Sequence, residues 1–158
     1  MAEEVKSIEK EILNIINTEP QLKKNYELIQ SVPGIGAVIA AYIVIYTENF
    51  TKFADARKFA SYCGIAPYEY ESGSSIKGKT KISSFGYKRL KSLLFMGAMS
   101  ASKNCPELHL YYKRRLKVGK KPMDVFNAIK NKMIHRVFAV IRRQSPYLAL
   151  DGYYTLKK

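Results

Sequence analysis

The chain has 158 residues, 47% of them apolar and 12% aromatic, enough oily surface for one buried core or for a core with an attached helix. That excludes a wholly disordered tail and leaves no room for a second full domain. Its 27 lysines and arginines against 13 acids give a net charge of +14. The excess lies in one half: residues 1–75 carry 7 basic and 10 acidic side chains (net −3), residues 76–158 carry 20 and 3 (net +17). Solubilising surfaces mix both signs, whereas a one-signed excess attracts phosphate backbones through Coulomb attraction and counterion release. The expected partner is nucleic acid.

Cys63 and Cys105 lack the close spacing of a zinc site or a disulfide framework and read as buried thiols in a reducing compartment. No run reaches the roughly 18 apolar residues of a membrane span, and the acidic opening Met-Ala-Glu-Glu is unlike a signal peptide. The expectation is a cytoplasmic protein with no membrane partner.

In chain order, residues 3–17 place Val5, Ile8, Ile12 and Ile15 or Ile16 at helical spacing behind early acids, as the helix dipole prefers. This amphipathic helix could pack on the rest of the chain or pair with another helix as part of a coiled coil. Pro20 ends it, and a second helix over 21–31 runs into Val32-Pro33-Gly34-Ile35-Gly36. The apolar run Ala37–Tyr46 then suits a buried helix. Asp55 is placed to cap a short helix carrying Phe59 and Tyr62, with Gly64 as its stop. From Ile65 to Ser83 the pattern loosens into a loop or short β-hairpin insert, rich in serine, glycine and alternating lysine. After Gly86, Leu90, Leu93, Leu94, Gly97, Ala98 and Ala101 share one side of a helix, leaving Lys88, Arg89 and Lys91 outward. Pro106 opens another helix that stops at Gly119, and a last long helix begins near Pro122. There Phe126, Ile129, Met133, Val137 and Val140 mark the core stripe, with Lys130, Lys132, Arg136, Arg142 and Arg143 expected mostly on the surface. The fold class is mainly α, a compact multi-helix domain with a helix-hairpin-helix element. Its divisions are the amphipathic helix at 1–20, the domain at 21–150 and a tail at 151–158.

Three constellations could carry chemistry. Gly34 and Gly36 let backbone amides point outward at the start of a helix, where they can hold a phosphate; the pattern resembles a helix-hairpin-helix motif, and a plain αα-turn is the alternative. Ser72-Gly73-Ser74-Ser75 with Lys77, Lys79 and Lys81 suggests phosphate chemistry. By composition it is a phosphate-binding loop, a catalytic one or an ordinary surface loop, since serine is a poor nucleophile without help. Lys113, Arg114 and Arg115, with Lys120 and Lys121, stand beside Tyr111 and Tyr112, a mix suited to backbone contact plus base stacking, or to a solvated basic face. His109 and His135 have no partners at ligand spacing, and the three aspartates Asp55, Asp124 and Asp151 are too few and scattered for a two-metal nuclease. No cofactor is expected in this chain.

Taken together, LIQSVPGIGAVIAAYIV, FTKFADARKFASYCGIAP, ESGSSIKGKTKISSFGYKRLKSLLFMGA and YYKRRLKVGKKPMDVFNAIKNKMIHRVFAVIRRQSPY, in this order across residues 26–147, resemble the C-terminal domain of insertion-sequence transposases of the IS116/IS110/IS902 type. The resemblance implies a separate RuvC-like domain that binds magnesium, a coiled coil of which residues 1–20 would be the tail, a structured bridge RNA as guide, and a homo-oligomer. It implies that Ser72, following Gly64-Ile65-Ala66-Pro67, matches the serine that attacks DNA and forms a phosphoserine link. It departs from the family pattern at Ser84, where many members carry lysine.

Overall fold

Among the described helices, prolines open three and glycines close two. The computed structural model describes residues 2–68, 81–82 and 88–149. Seven helices are found among them: α1 (Ala2–Thr18), α2 (Pro20–Gln30), α3 (Ala37–Tyr46), α4 (Ala56–Tyr62), α5 (Lys88–Asn104), α6 (Pro106–Lys117) and α7 (Pro122–Arg143). Pro20, Pro106 and Pro122 each stand in a first turn, where the missing N–H would have no intrahelical acceptor anyway. Asp55 caps α4 by accepting the Lys58 amide at 2.9 Å.

Two helices end in the same way. Past α4, Gly64 takes φ 66° while its amide reaches Ser61 O and that of Ile65 reaches Ala60 O. Past α6, Gly119 takes φ 83°, with its amide on Leu116 O and that of Lys120 on Arg115 O. Both are Schellman closures, which need a left-handed residue that glycine adopts without strain.

Helix α7 is the hub, touching α2, α4, α5 and α6, while α3 lies against α2 and α5, and α1 against α2. Phe59, Ile29, Ile43, Leu90, Leu94, Leu108, Ile129 and Met133 are fully buried between them. Each such side chain contributes about 1.5–3 kcal/mol relative to exposure. Two-residue strands β1 (Pro67–Tyr68) and β2 (Lys81–Ile82) pair antiparallel, Pro67 opposite Ile82. The serine-rich insert expected between them lies outside the described residues.

Lys130 and Arg136, expected mostly on the surface, are turned inward. Lys130 is 2% exposed, and the Arg136 side chain 15%. The reason is spacing: Lys130 follows Phe126 by four positions and precedes Met133 by three, and Arg136 follows Met133 by three and precedes Val140 by four. Both therefore fall on the core-facing side of α7. The Arg136 guanidinium is met by Glu107 at 2.5 Å, and Tyr147 O–H donates to the other Glu107 oxygen at 2.9 Å. The Tyr147 amide donates to Ser31 Oγ at 2.8 Å, tying the segment after α7 to the end of α2. Helix α3 is less completely buried than its composition suggests, because Val38 and Ile45 are exposed.

Candidate nucleic-acid interface

The α2–α3 hairpin separates its two glycines by role. Gly34 has φ +87°, and a Cβ there would come within 2.5 Å of Gly97 O and 3.0 Å of Ala101 Cβ. Its missing side chain lets the hairpin backbone rest on that of α5, so packing alone demands glycine here. Gly36 is the extended N-cap of α3, is exposed, and a Cβ would meet nothing within 4 Å. The Ala40 amide makes the first intrahelical bond, to Gly36 O. The preceding first-turn amides have no acceptor inside the helix. Ala37 and Val38 are exposed there, so the helix start opens to solvent. Tyr26 O–H donates to Ala37 O at 3.3 Å and holds this start against α2.

Lys88 and Arg89 are exposed in the first turn of α5. Lys113 and Arg114 are exposed on α6, Arg115 is half-buried, and Lys120 and Lys121 are exposed in the turn before α7. Cations from two helices meet at one ring: Lys132 Nζ lies 4.8 Å and the Arg114 guanidinium carbon 5.8 Å from the Tyr111 centroid. This cation–π contact orders both side chains without neutralising them. Tyr112 stacks on Phe126 at 5.0 Å, so part of its surface belongs to the internal packing. Ser72, Lys77 and Lys79 lie outside the described residues, and only the backbone of Lys81 is described, in β2.

Lys130, expected mostly on the surface of the last helix, has its Nζ 5.7 Å from the Phe95 centroid. Burial and the like charge of Lys91 lower its pKa to about 8. The signal that finds it is the α7 periodicity already used for the core stripe.

Among the described residues no three of His, Cys, Asp or Glu come together in a group that could hold a metal ion. His109 Nδ1 lies 2.9 Å from Ser102 O, a packing contact, and His135 is exposed. Both cysteines are buried free thiols, and burial pushes Cys63 up to about 12. No helix among the described residues is long and apolar enough to cross a membrane.

The sequence profile described as Transposase IS116/IS110/IS902 family matches residues 26–113. The chain is 31% identical over 147 residues to the pilin gene-inverting proteins of Moraxella lacunata and Moraxella bovis, alignments that cover 92% of this chain and 46% of each relative. It is 30% identical over 115 residues to the insertion element IS110 uncharacterized 43.6 kDa protein of Streptomyces coelicolor, covering 73% of this chain and 28% of that protein. The chain thus spans about half the length, or less, of these relatives.

Proposed function

Because this chain belongs to the IS116/IS110/IS902 transposase family, we propose that it is the DNA-binding, C-terminal part of a transposase or recombinase, with Ser72 as the nucleophile of strand exchange. The observation that carries the binding role is the exposed cations on the start of α5, on α6 and in the turn before α7, within a half of the chain whose net charge is +17. Cations of this kind position a phosphate backbone without reading bases. The open start of α3 at Gly36 supports a further backbone contact, as helix amides favour anions. Relatives named for inverting a pilin gene support a reaction that rejoins DNA.

In the proposed reaction Ser72 Oγ bonds to phosphorus, the bond to one DNA oxygen breaks, and the serine proton leaves to a base or solvent. The lysines at 77, 79 and 81 would neutralise the phosphate oxygens as charge develops. The magnesium chemistry would come from a RuvC-like domain of the whole protein, as the family resemblance implies. A structured bridge RNA would choose the sites, and the protein would work in the cytoplasm as a homo-oligomer.

The test is a chain joined to such an acidic domain and supplied with magnesium, bridge RNA and DNA. Ser72→Ala should abolish covalent protein–DNA attachment and leave DNA binding within about twofold. Undiminished attachment would remove Ser72 from the nucleophile role, and an unchanged chain that binds no DNA would end the binding role as well.

A further inference from the structure

Eight consecutive residues, 117 to 124, are exposed where α6 turns into α7. The turn is fixed at both shoulders. Gly119, at φ 83°, closes α6 with its amide on Leu116 O, and Pro122 opens α7, where Lys121 O accepts from the Asp124 and Val125 amides at 3.1 and 3.2 Å. Among the exposed Lys117, Lys120 and Lys121 stand two apolar side chains, Val118, 65% exposed, and Met123, 55% exposed. Val118 is the C-cap of α6 and Met123 lies in the first turn of α7. The apolar contacts that often accompany such helix ends would join other positions, Lys120 with Arg115 and Lys120 with Val125. Neither helix end therefore accounts for Val118 or Met123. One exposed apolar residue is ordinary on any surface, but here two fall within six residues on a fixed cationic tip.

Charge selects the occupant. From Leu108 to Ala149 the sequence holds a single acid, Asp124, in the first turn of α7 where the helix dipole favours it. An apolar tip set among cations fits a polyanion with apolar faces inside it, which is what stacked bases between phosphate strands offer. Burying two such side chains is comparable with what unstacking one base step costs. It is small beside what holds two folded proteins together or keeps a helix on a lipid surface.

We propose that the α6–α7 turn is a wedge for duplex DNA, its lysines resting on phosphates while Val118 and Met123 enter between base pairs and open one step. The wedge rests on the reading of this chain as a DNA binder, and adds contact with the bases to contact with the backbone. Because Gly119 and Pro122 already fix the turn, little ordering opposes insertion. Pyrimidine–purine steps unstack most easily, so the wedge selects sites by deformability and not by hydrogen bonds to base edges.

The experiment uses the 158-residue chain with carbon-13-labelled methionine methyl groups, and short DNA duplexes carrying 2-aminopurine at successive positions and a fluorophore at each end. Binding should raise the 2-aminopurine emission at one step, shorten the end-to-end distance, and move the Met123 methyl signal upfield through the ring currents of the bases, while the buried Met133 signal stays in place. The double variant Val118→Ser, Met123→Gln should melt as the unchanged chain does, yet bind the duplex about tenfold more weakly. It should lose the emission rise and the bend and keep the slope of log affinity against log salt. Lys120→Gln should instead reduce that slope by about one. A duplex bound with neither an emission rise nor a Met123 shift would overturn the wedge, and so would a double variant that binds and bends DNA like the unchanged chain. Should the double variant fail to fold, the Met123 shift in the unchanged chain decides. If the double variant loses binding to phosphatidylglycerol vesicles, or loses self-association, with every duplex signal intact, the proposal is overturned in favour of a lipid surface or a second copy. Failure of the unchanged chain to bind any duplex would strike the underlying function and the wedge with it, whereas binding without base contact strikes the wedge alone.

Discussion

Gly34 and Gly36 stand two positions apart and answer to different forces. Gly34 combines a positive φ with backbone contact to α5, so Gly34→Ala should destabilise by roughly 2–4 kcal/mol in urea unfolding. Gly36→Ala has ordinary backbone geometry and open space, and should change stability by less than about 1 kcal/mol. Equal losses would contradict the packing role given to Gly34. Lys130 yields a pH signature. Its folded pKa, about 8, lies below the ordinary lysine value of 10.5, so between those values the unfolded chain holds more protons and stability rises with pH. Below about pH 8 the charged lysine carries its full cost. Lys130→Met should therefore be more stable than the unchanged chain at pH 7.5, with that lead shrinking by on the order of 2 kcal/mol by pH 9.5. A lead independent of pH would mean the lysine is not held charged against its surroundings. Tyr147 acts with the opposite sign: burial and the bond to Glu107 raise it to about 12, so its contribution is lost as pH climbs from 10 through 12.

Helix boundaries proved legible because they are local. The Asp55 cap, the glycine stops at 64 and 119, and the prolines at 106 and 122 depend on hydrogen bonds and sterics within a few residues. The direction of a long side chain is different. Lysine and arginine side chains favour solvent, yet on α7 the period of the helix outweighs residue type and carries Lys130 and Arg136 inward. Helix α1 packs on the rest of the chain only in part: Ile16 is buried and Ile12 packs on the core, while Val5, Ile8 and Ile15 remain exposed. We expect this exposed part to pair with a second copy, so that the mass of the chain in solution rises with concentration and Ile8→Glu abolishes the rise. A mass independent of concentration would remove the self-pairing of α1.

The charge balance of the entire chain predicts its response to salt. If about six to ten phosphates are contacted, raising salt from 50 to 200 mM should weaken DNA binding roughly a thousandfold or more. A flat response would refute the electrostatic account. The concentration of charge in residues 76–158 was visible before any fold, because net charge is a sum that folding leaves unchanged. The ordered motifs that carry the family resemblance were equally visible, and so was the mainly helical class, since apolar periodicity is written along the chain. Tertiary structure alone decided that Gly34 faces Gly97, that Glu107 joins Arg136 to Tyr147, and that Lys130 meets Phe95. These contacts join residues far apart in the chain, and only the packing of α5, α6 and α7 against one another brings them within reach.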